Sequence, residues 1–351
     1  MRRARLLDPA ALPTAAAALL ATAATAEFQF GAAWFAALAE AALAAPAHAG
    51  FLAAEADGRL LALLPVCRHG GRFAALTAPY TSIFRPLAGA AAAPAELTAA
   101  GRAFAAATRG GGVLRLDALE AEWPGLAPLL AGFAAGGMAA LRFAHFGNWH
   151  LPVAGLDWAA YLSARPGALR STLRRKERAG FDFSLIVGGA GLADGIAAYE
   201  AVHARSWKPT EPFPRFAATL MRHAAAAGVL RLGLLHRDGV PLAAQIWTLA
   251  GGTATVHKLA HDRAAEAASP GSLLTARMIR HLLDQERVAA LDFGRGDDAY
   301  KAAWTGQRRQ RIGVLLCAPW HPAGIAAIAR HAAGRFAARL GPAKGGQWTH
   351  T

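Results

Sequence analysis

Two Asp-Gly pairs, Asp57-Gly58 and Asp238-Gly239, each stand between apolar runs of strand length, and each lies within the same alternation of helical and strand-like segments. Asp-Gly tolerates the positive φ that a two-residue hairpin turn needs at both central positions, so each pair predicts an antiparallel hairpin. The first hairpin joins strands at 51–56 and 59–66, closed by Pro65, and the second joins 230–236 and 242–249. Around the first, apolar periodicity predicts a helix over 28–45, with Trp34, Phe35 and Leu38 on one face. A strand at 73–79, helices at 95–108 and 124–135, and strands at 113–116 and 140–146 follow. Beyond a junction at 147–157 the order recurs, with helices at 158–163, 168–179, 192–207, 271–285 and 299–304 among strands at 183–187, 253–261, 288–293 and 312–317. The expected fold is therefore α/β, with helices flanking mixed sheets and the unit duplicated. Its parts are an Ala-rich segment 1–26, a first domain 27–150, a second domain 151–320, and a C-terminal amphipathic helix and tail 321–351.

A hydrophobic content of 54% against 17% charged excludes a disordered or collagen-like chain. The net charge of +14 would ordinarily suggest nucleic acid, but only five of the 37 basic residues are lysine, and arginine and alanine are inflated together as in GC-rich coding. Nucleic acid is therefore not the expected partner, and the positions where arginines gather matter more than their sum. Cys67 and Cys317 are far apart and form no CxxC, which fits a reducing, cytoplasmic compartment and no zinc site. Residues 1–26 imitate a secretory leader, but Asp8 and Pro13 interrupt the pattern. Nowhere do about 18 strongly apolar residues run together, so no membrane-spanning helix is expected.

Four segments could carry chemistry. Ser269, Pro270, Gly271, Ser272 and Leu273 open a long helix, with Ser269 as N-cap and Pro270 at the first helical position, so its amides and dipole would suit a phosphate. Arg170, Arg174 and Arg178 recur every four residues, with Arg175 and Lys176 beside them; such stacked like charges call for solvent or an anionic partner. The string from Asp292 to Trp304 places an acid at the end of an apolar strand, then two glycines and a helix capped by Asp297 or Asp298. His203 with Trp207, and His257, Lys258 and His261 on one strand, are candidates for proton transfer; the two strand histidines share parity, but no third metal ligand is spaced near them. Gly189-Ala190-Gly191 has its third glycine one residue late for a dinucleotide fingerprint and reads as a loop.

Leu169 to Lys176, His203 to Trp207, Asp238 to Ala244, Ser269 to Gly271 and Asp292 to Lys301, in this order and at these separations, resemble the CelD/BcsL-like acyltransferases of the GNAT superfamily. The resemblance is strongest over 141–320 and extends more weakly to Phe28; such proteins resemble the FemAB peptidyltransferases in having two tandem GNAT-like domains. It implies transfer of an acyl group from a thioester, acyl-CoA as co-substrate, to an amine, with the donor's pyrophosphate on the amides of Ser269 to Leu273. The family's donor loop, an Arg or Gln followed by spaced glycines, is represented here by Gly271 alone, which leaves acyl carrier protein or aminoacyl-tRNA as other donors. The expected roles are proton acceptor for Asp292 or His203 and acid or oxyanion donor for Tyr300. Trp207, Arg295, Asp297, Lys301 and Trp304 would hold the substrate, and Arg170, Arg174, Arg175 and Lys176 a phosphate-bearing group. Family context points to exopolysaccharide or cell-envelope metabolism, with an amino sugar, amino-lipid or nucleotide-linked sugar as acceptor; a non-catalytic binding module of a polysaccharide-synthesis system and a FemAB-like peptidyltransferase that uses aminoacyl-tRNA are the other readings. The helix 323–340, with Ile325, Ile328 and Phe336 on one side and Arg330, Arg335 and Arg339 toward others, is expected to pack on the second domain or to rest on an anionic inner-membrane surface.

Overall fold

The computed structural model describes residues 2–340. The first half comprises β1 (Arg2–Leu7), α1 (Thr14–Ala26), α2 (Ala32–Ala41), β2 (His48–Ala56), β3 (Arg59–His69), β4 (Arg72–Ala75), β5 (Leu87–Ala88), α3 (Pro94–Thr108), β6 (Val113–Glu120), α4 (Leu126–Ala135) and β7 (Ala139–Pro152). Helices α5 (Trp158–Ser163) and α6 (Gly167–Lys176) lead into the second half. This contains β8 (Asp182–Ile186), α7 (Leu192–Ala204), α8 (Phe216–Ala226), β9 (Leu230–Arg237), β10 (Val240–Ala250), β11 (Thr253–His261), α9 (Pro270–Asp284), β12 (Ala290–Arg295), α10 (Ala299–Trp304) and β13 (Arg308–Cys317), and α11 (Pro322–Leu340) follows. Leaving out the short β5, both halves run β-α-α-β-β-β-α-β-α-β. Both Asp-Gly turns form, with φ of 50° and 78° at Asp57 and Gly58 and of 51° and 76° at Asp238 and Gly239.

The halves are interleaved. One sheet has the order β1-β2-β3-β4, with β5 beside β3; the other runs β6-β13-β7-β12-β11-β10-β9-β8. Its first four strands read the same from either end when the halves are exchanged, because each half's last strand lies beside the other half's penultimate strand. β7 and β13 pair antiparallel from Ala139 opposite Cys317 to Trp149 opposite Arg308. A boundary at residue 150 therefore falls inside β7. Gly147 and Asn148, which open the expected junction, lie within β7 opposite Gln310 and Arg309. Residues 1–26 are woven into the first half as well: β1 pairs with β2 from Arg2 opposite Ala56 to Leu7 opposite Phe51, and α1 buries Ala16 and Leu20. Pro65 does not end its strand; β3 continues to His69, and the Pro65 carbonyl accepts the Leu76 N–H at 3.0 Å.

One core joins α1 to α4 with α7 and α8, and Trp34 of the first half meets Phe216 of the second edge-on at 5.8 Å. A second core lies under α9, whose Leu274, Met278 and Leu282 recur every four residues against Trp247 and Phe293. The first turn of α11 docks, with Gly324 against the Ala318 backbone; Ile325 is 54% exposed, and Arg330 and Arg335 are exposed. The side chains of Phe336 and Arg339 and the tail 341–351 lie outside the described residues. Among those residues no helix is long and apolar enough to cross a membrane.

Candidate active site

β11 and β12 are parallel neighbours that pair only from Thr253 opposite Ala290 to Thr255 opposite Asp292. Past that point a cavity of about 680 Å³ opens at their C-terminal ends, where α/β sheets place ligands. It is walled by α9 and α10, by Trp207 and Lys208, and by Pro79, Tyr80 and Ser82 of the first half. Gly294 (φ 66°) lets β12 pass close to β11, since a Cβ there would stand 2.8 Å from the Val256 carbonyl oxygen. On the other side of β11 the register slips: Val256 faces Trp247 and Lys258 faces Ile246, so His257 is bulged without a cross-strand partner.

The start of α9 faces this cavity through Ser269, Gly271 and Ser272. Ser269 occupies the N-cap position, but in a left-handed conformation (φ 54°) its side chain makes no capping bond. Pro270 has no N–H, and the Leu273 N–H is taken by the Ser269 carbonyl at 3.1 Å, which leaves the Gly271 and Ser272 amides free for a ligand. No acidic side chain stands in the first turn of α9. The equivalent α3 carries Glu96 there, bonded to the Ala93 N–H at 3.1 Å and paired with Arg59, so a carboxylate already fills the anion position of the first half. A Cβ on Gly271 would stand 3.0 Å from His261 Nδ1, a buried nitrogen with no hydrogen-bond partner.

Tyr300 projects from α10 onto the first turn of α9, its hydroxyl 2.6 Å from Thr275 Oγ1. Thr275 in turn donates to the Gly271 carbonyl at 2.9 Å and accepts from Gln245, whose Oε1 receives the Trp247 indole N–H at 2.8 Å. Burial pushes the Tyr300 hydroxyl far above its ordinary value, so it stays protonated. His257 bonds Thr248 Oγ1 at 2.8 Å, and burial lowers it to about 4, which keeps the ring neutral at physiological pH. His261 is also lowered by burial, and its ring lies tilted against Trp207 with 4.1 Å between centroids. The two strand histidines face different surroundings, Trp34 for His257 and Trp207 for His261, because the bulge breaks the parity that sequence assigns them.

The cavity is cationic. Lys258 is 7% exposed, bonded to Glu211 Oε2 at 2.6 Å and set 4.1 Å over the Tyr80 ring. Burial pushes the Glu211 carboxyl up, but the Lys258 ammonium outweighs it and holds the group below its ordinary range. Lys301 reaches the Arg295 carbonyl and pairs with Asp298 at 3.3 Å, while the Arg295 guanidinium lies over Phe146 at 4.6 Å. Lys208 lines the cavity with no hydrogen bond or ion pair from its ammonium to any described residue; burial, then Lys258, lowers it to about 8.

Of the residues singled out in sequence, Trp207, His257, Lys258, His261, Ser269, Gly271, Ser272, Arg295, Asp298, Tyr300 and Lys301 line this cavity. The rest lie elsewhere. Asp292 is 6% exposed and accepts from Asn148 Nδ2, the Gly294 N–H and Arg309 Nη2, each at 2.7 Å, so it locks the β12 bulge to β7 and β13 and is not a free proton acceptor. His203 lines a separate pocket, 3.4 Å from Glu211. Asp297 is clamped by Arg308, with 2.9 Å between Oδ2 and Nη2, and Trp304 is fully buried under α9. Pro270 and Leu273 are buried, and Arg170 and Arg174 line a different groove with Leu273. Lys176 donates to the Ala267 carbonyl at 2.7 Å, and Arg175 is exposed. Sequence reasoning missed Tyr80, Lys208, Gln245 and Thr275; only Lys208, one of five lysines and adjacent to Trp207, carried a signal. Asp292→Asn is expected to lower stability by about 2 kcal/mol, since an amide nitrogen would then face a donor, without altering the pH profile of turnover. Urea denaturation and a pH–rate profile test this; a lost ionisation in an intact fold would restore Asp292 as proton acceptor.

Residues 167–302 match the family model of the acetyltransferase (GNAT) domain. The chain has a tandem GNAT fold. It is similar in structure to a tandem GNAT protein from the clavulanic acid biosynthesis pathway, at 14% identity and TM-score 0.53, over 90% of this chain and 98% of that one. FemX is similar at 12% identity and TM-score 0.55, over 80% and 90% of the two chains. L-PGS from Bacillus licheniformis is similar at 13% identity and TM-score 0.51, over 82% and 89%. No curated protein matches in sequence.

Proposed function

We propose that this GNAT protein transfers an acyl group from acyl-CoA to a primary amine in the cavity between β11 and β12. The observation that carries the reading is the pair of free amides at Gly271 and Ser272, in a helix turn with no acid, opening on the splayed strands. They suit the donor's pyrophosphate, with the unpartnered His261 Nδ1 and the uncommitted Ser269 hydroxyl beside them. The thioester lies in the gap past Thr255, where the bulged His257 backbone offers an N–H to the developing oxyanion. The amine attacks the carbonyl carbon; as the C–N bond forms and the C–S bond breaks, Lys208 in its free-base form takes the ammonium proton and Tyr300 protonates the departing thiolate. Lys208 is suited to this because burial, and after it Lys258, brings it down to about 8, close to working pH. Arg295 and Lys301 favour an acceptor with negative charge near its amine. A cell-envelope amino sugar or amino-lipid, in keeping with the CelD/BcsL-like resemblance, is the acceptor class proposed.

Thermal stabilisation by acetyl-CoA and longer acyl-CoAs tests the donor. Stabilisation that Ser272→Asp abolishes is expected; none with any acyl-CoA, but some with charged tRNA, would move the donor to the class that the likeness to FemX raises. For turnover, kcat/KM should rise with pH and level off above about 8. Lys208→Met should lower kcat by about 100-fold while acyl-CoA binding persists. An unchanged rate would show that another group takes the proton.

A further inference from the structure

A second concavity, of about 400 Å³, lies between α5, α6 and α9. It uses a different side of α9 from the cavity described above. At 100° per residue, Gly271, Ser272 and Thr275 cluster on one side, and Leu273, Ala276, Arg277 and Arg280 on the opposite one. Two helices thus send guanidinium groups to a single groove, Arg170 and Arg174 from α6 and Arg277 and Arg280 from α9. Arg170 and Arg174 stand one turn apart and have no ion pair or hydrogen bond from their side chains to any described residue. Arg277 reaches Glu177 only at 3.9 Å, and Arg280 reaches Asp284 at 3.6 Å.

Four cations around one hollow repel each other, and a surface selected only for solubility would let them diverge into water. Here all four border one groove with an apolar floor, and Glu177 is the one acid among the lining residues. Trp158 forms part of that floor, its ring stacked on Tyr161 at 5.7 Å and its backbone N–H held by Asp284 Oδ1 at 2.8 Å. A fixed aromatic plane beside convergent guanidiniums suits a ligand with a flat ring at one end and phosphate oxygens at the other. We propose that the groove between α5, α6 and α9 is a nucleoside-diphosphate site, separate from the acyl-transfer cavity, with the base on Trp158 and the diphosphate on Arg170, Arg174 and Arg277. The nucleotide can be free or the carrier of a sugar.

Calorimetric titration of the full chain with ADP, UDP and UDP-glucose tests this, and its readout is independent of acyl transfer. At least one nucleotide should bind at micromolar concentration. Arg174→Glu and Arg277→Glu should each weaken it by about tenfold or more, and Trp158→Ala by about fivefold, in chains whose melting is unchanged. Ser272→Asp, which closes the acyl-donor site, should leave nucleotide affinity within twofold. Binding that Ser272→Asp removes and the groove variants leave intact would place the nucleotide in the acyl-transfer cavity and overturn the proposal. Absence of binding at millimolar nucleotide would also overturn it, as would tight binding of RNA alone with a steep salt dependence.

Discussion

Residues 153–351 produced without the first half are expected to remain unfolded or to aggregate, although they contain every residue matched by the GNAT family model. In the complete chain β13 lies between β6 and β7, and β7 also bonds β12, so removing the first half strips β13 of both neighbours and leaves β12 as an exposed edge. It also removes Trp34 from Phe216 of α8 and His257 of β11, and the Tyr80 ring that stacks on Phe216 at 4.3 Å. Burying a large side chain contributes about 2 kcal/mol, so a few such losses equal the net stability of an ordinary domain of about 5–15 kcal/mol. Circular dichroism and size exclusion of the fragment would check this. A cooperative melt of a monomeric fragment would show that β12 and β13 can close on each other. Adding residues 2–152 as a separate chain should restore a folded complex if the interleaved sheet is the cause.

Lys258→Met should lower stability by about 3 kcal/mol or more, because it leaves the Glu211 carboxylate without its cation in a site closed by Tyr80. The double variant Lys258→Met with Glu211→Leu should recover most of the loss, since both charges then disappear together. The pH dependence gives a second reading. Glu211 is held below its ordinary value of 4.5 in the fold, so the unfolded chain binds more protons there as the solution is acidified. Its contribution is complete above about 4.5 and fades as pH falls through the folded value. In Lys258→Met that acid-side loss should flatten, because the cation that lowers the carboxyl is gone. Urea melts of both variants across pH 3–7 measure these effects; equal acid sensitivity in Lys258→Met and the parent chain would show that the pair does not set the Glu211 titration.

The duplicated order, the two Asp-Gly hairpins and the helix opening at Pro270 could be read from sequence because each rests on local chemistry: positive φ at a turn, a missing N–H at a helix start, and apolar spacing along one element. The same locality brings Gly271, Ser272, Tyr300 and Lys301 to one cavity, since motif and element carry them to the ends of neighbouring strands. Tertiary structure decided the rest. Asp292 looks free at a strand end, yet the insertion of β7 and β13 delivers Asn148 and Arg309 to its carboxylate. Trp304 reads as part of a substrate motif until α5 and α9 bury it, and α6 carries its arginines to the far side of α9 from the cavity. Tyr80 and Lys208 come to one site from positions 128 residues apart, with β11 between them. Periodicity along a chain specifies which face of an element is apolar; which other elements meet that face depends on strand exchange between the halves, and that pairing satisfies backbone hydrogen bonds common to every sequence.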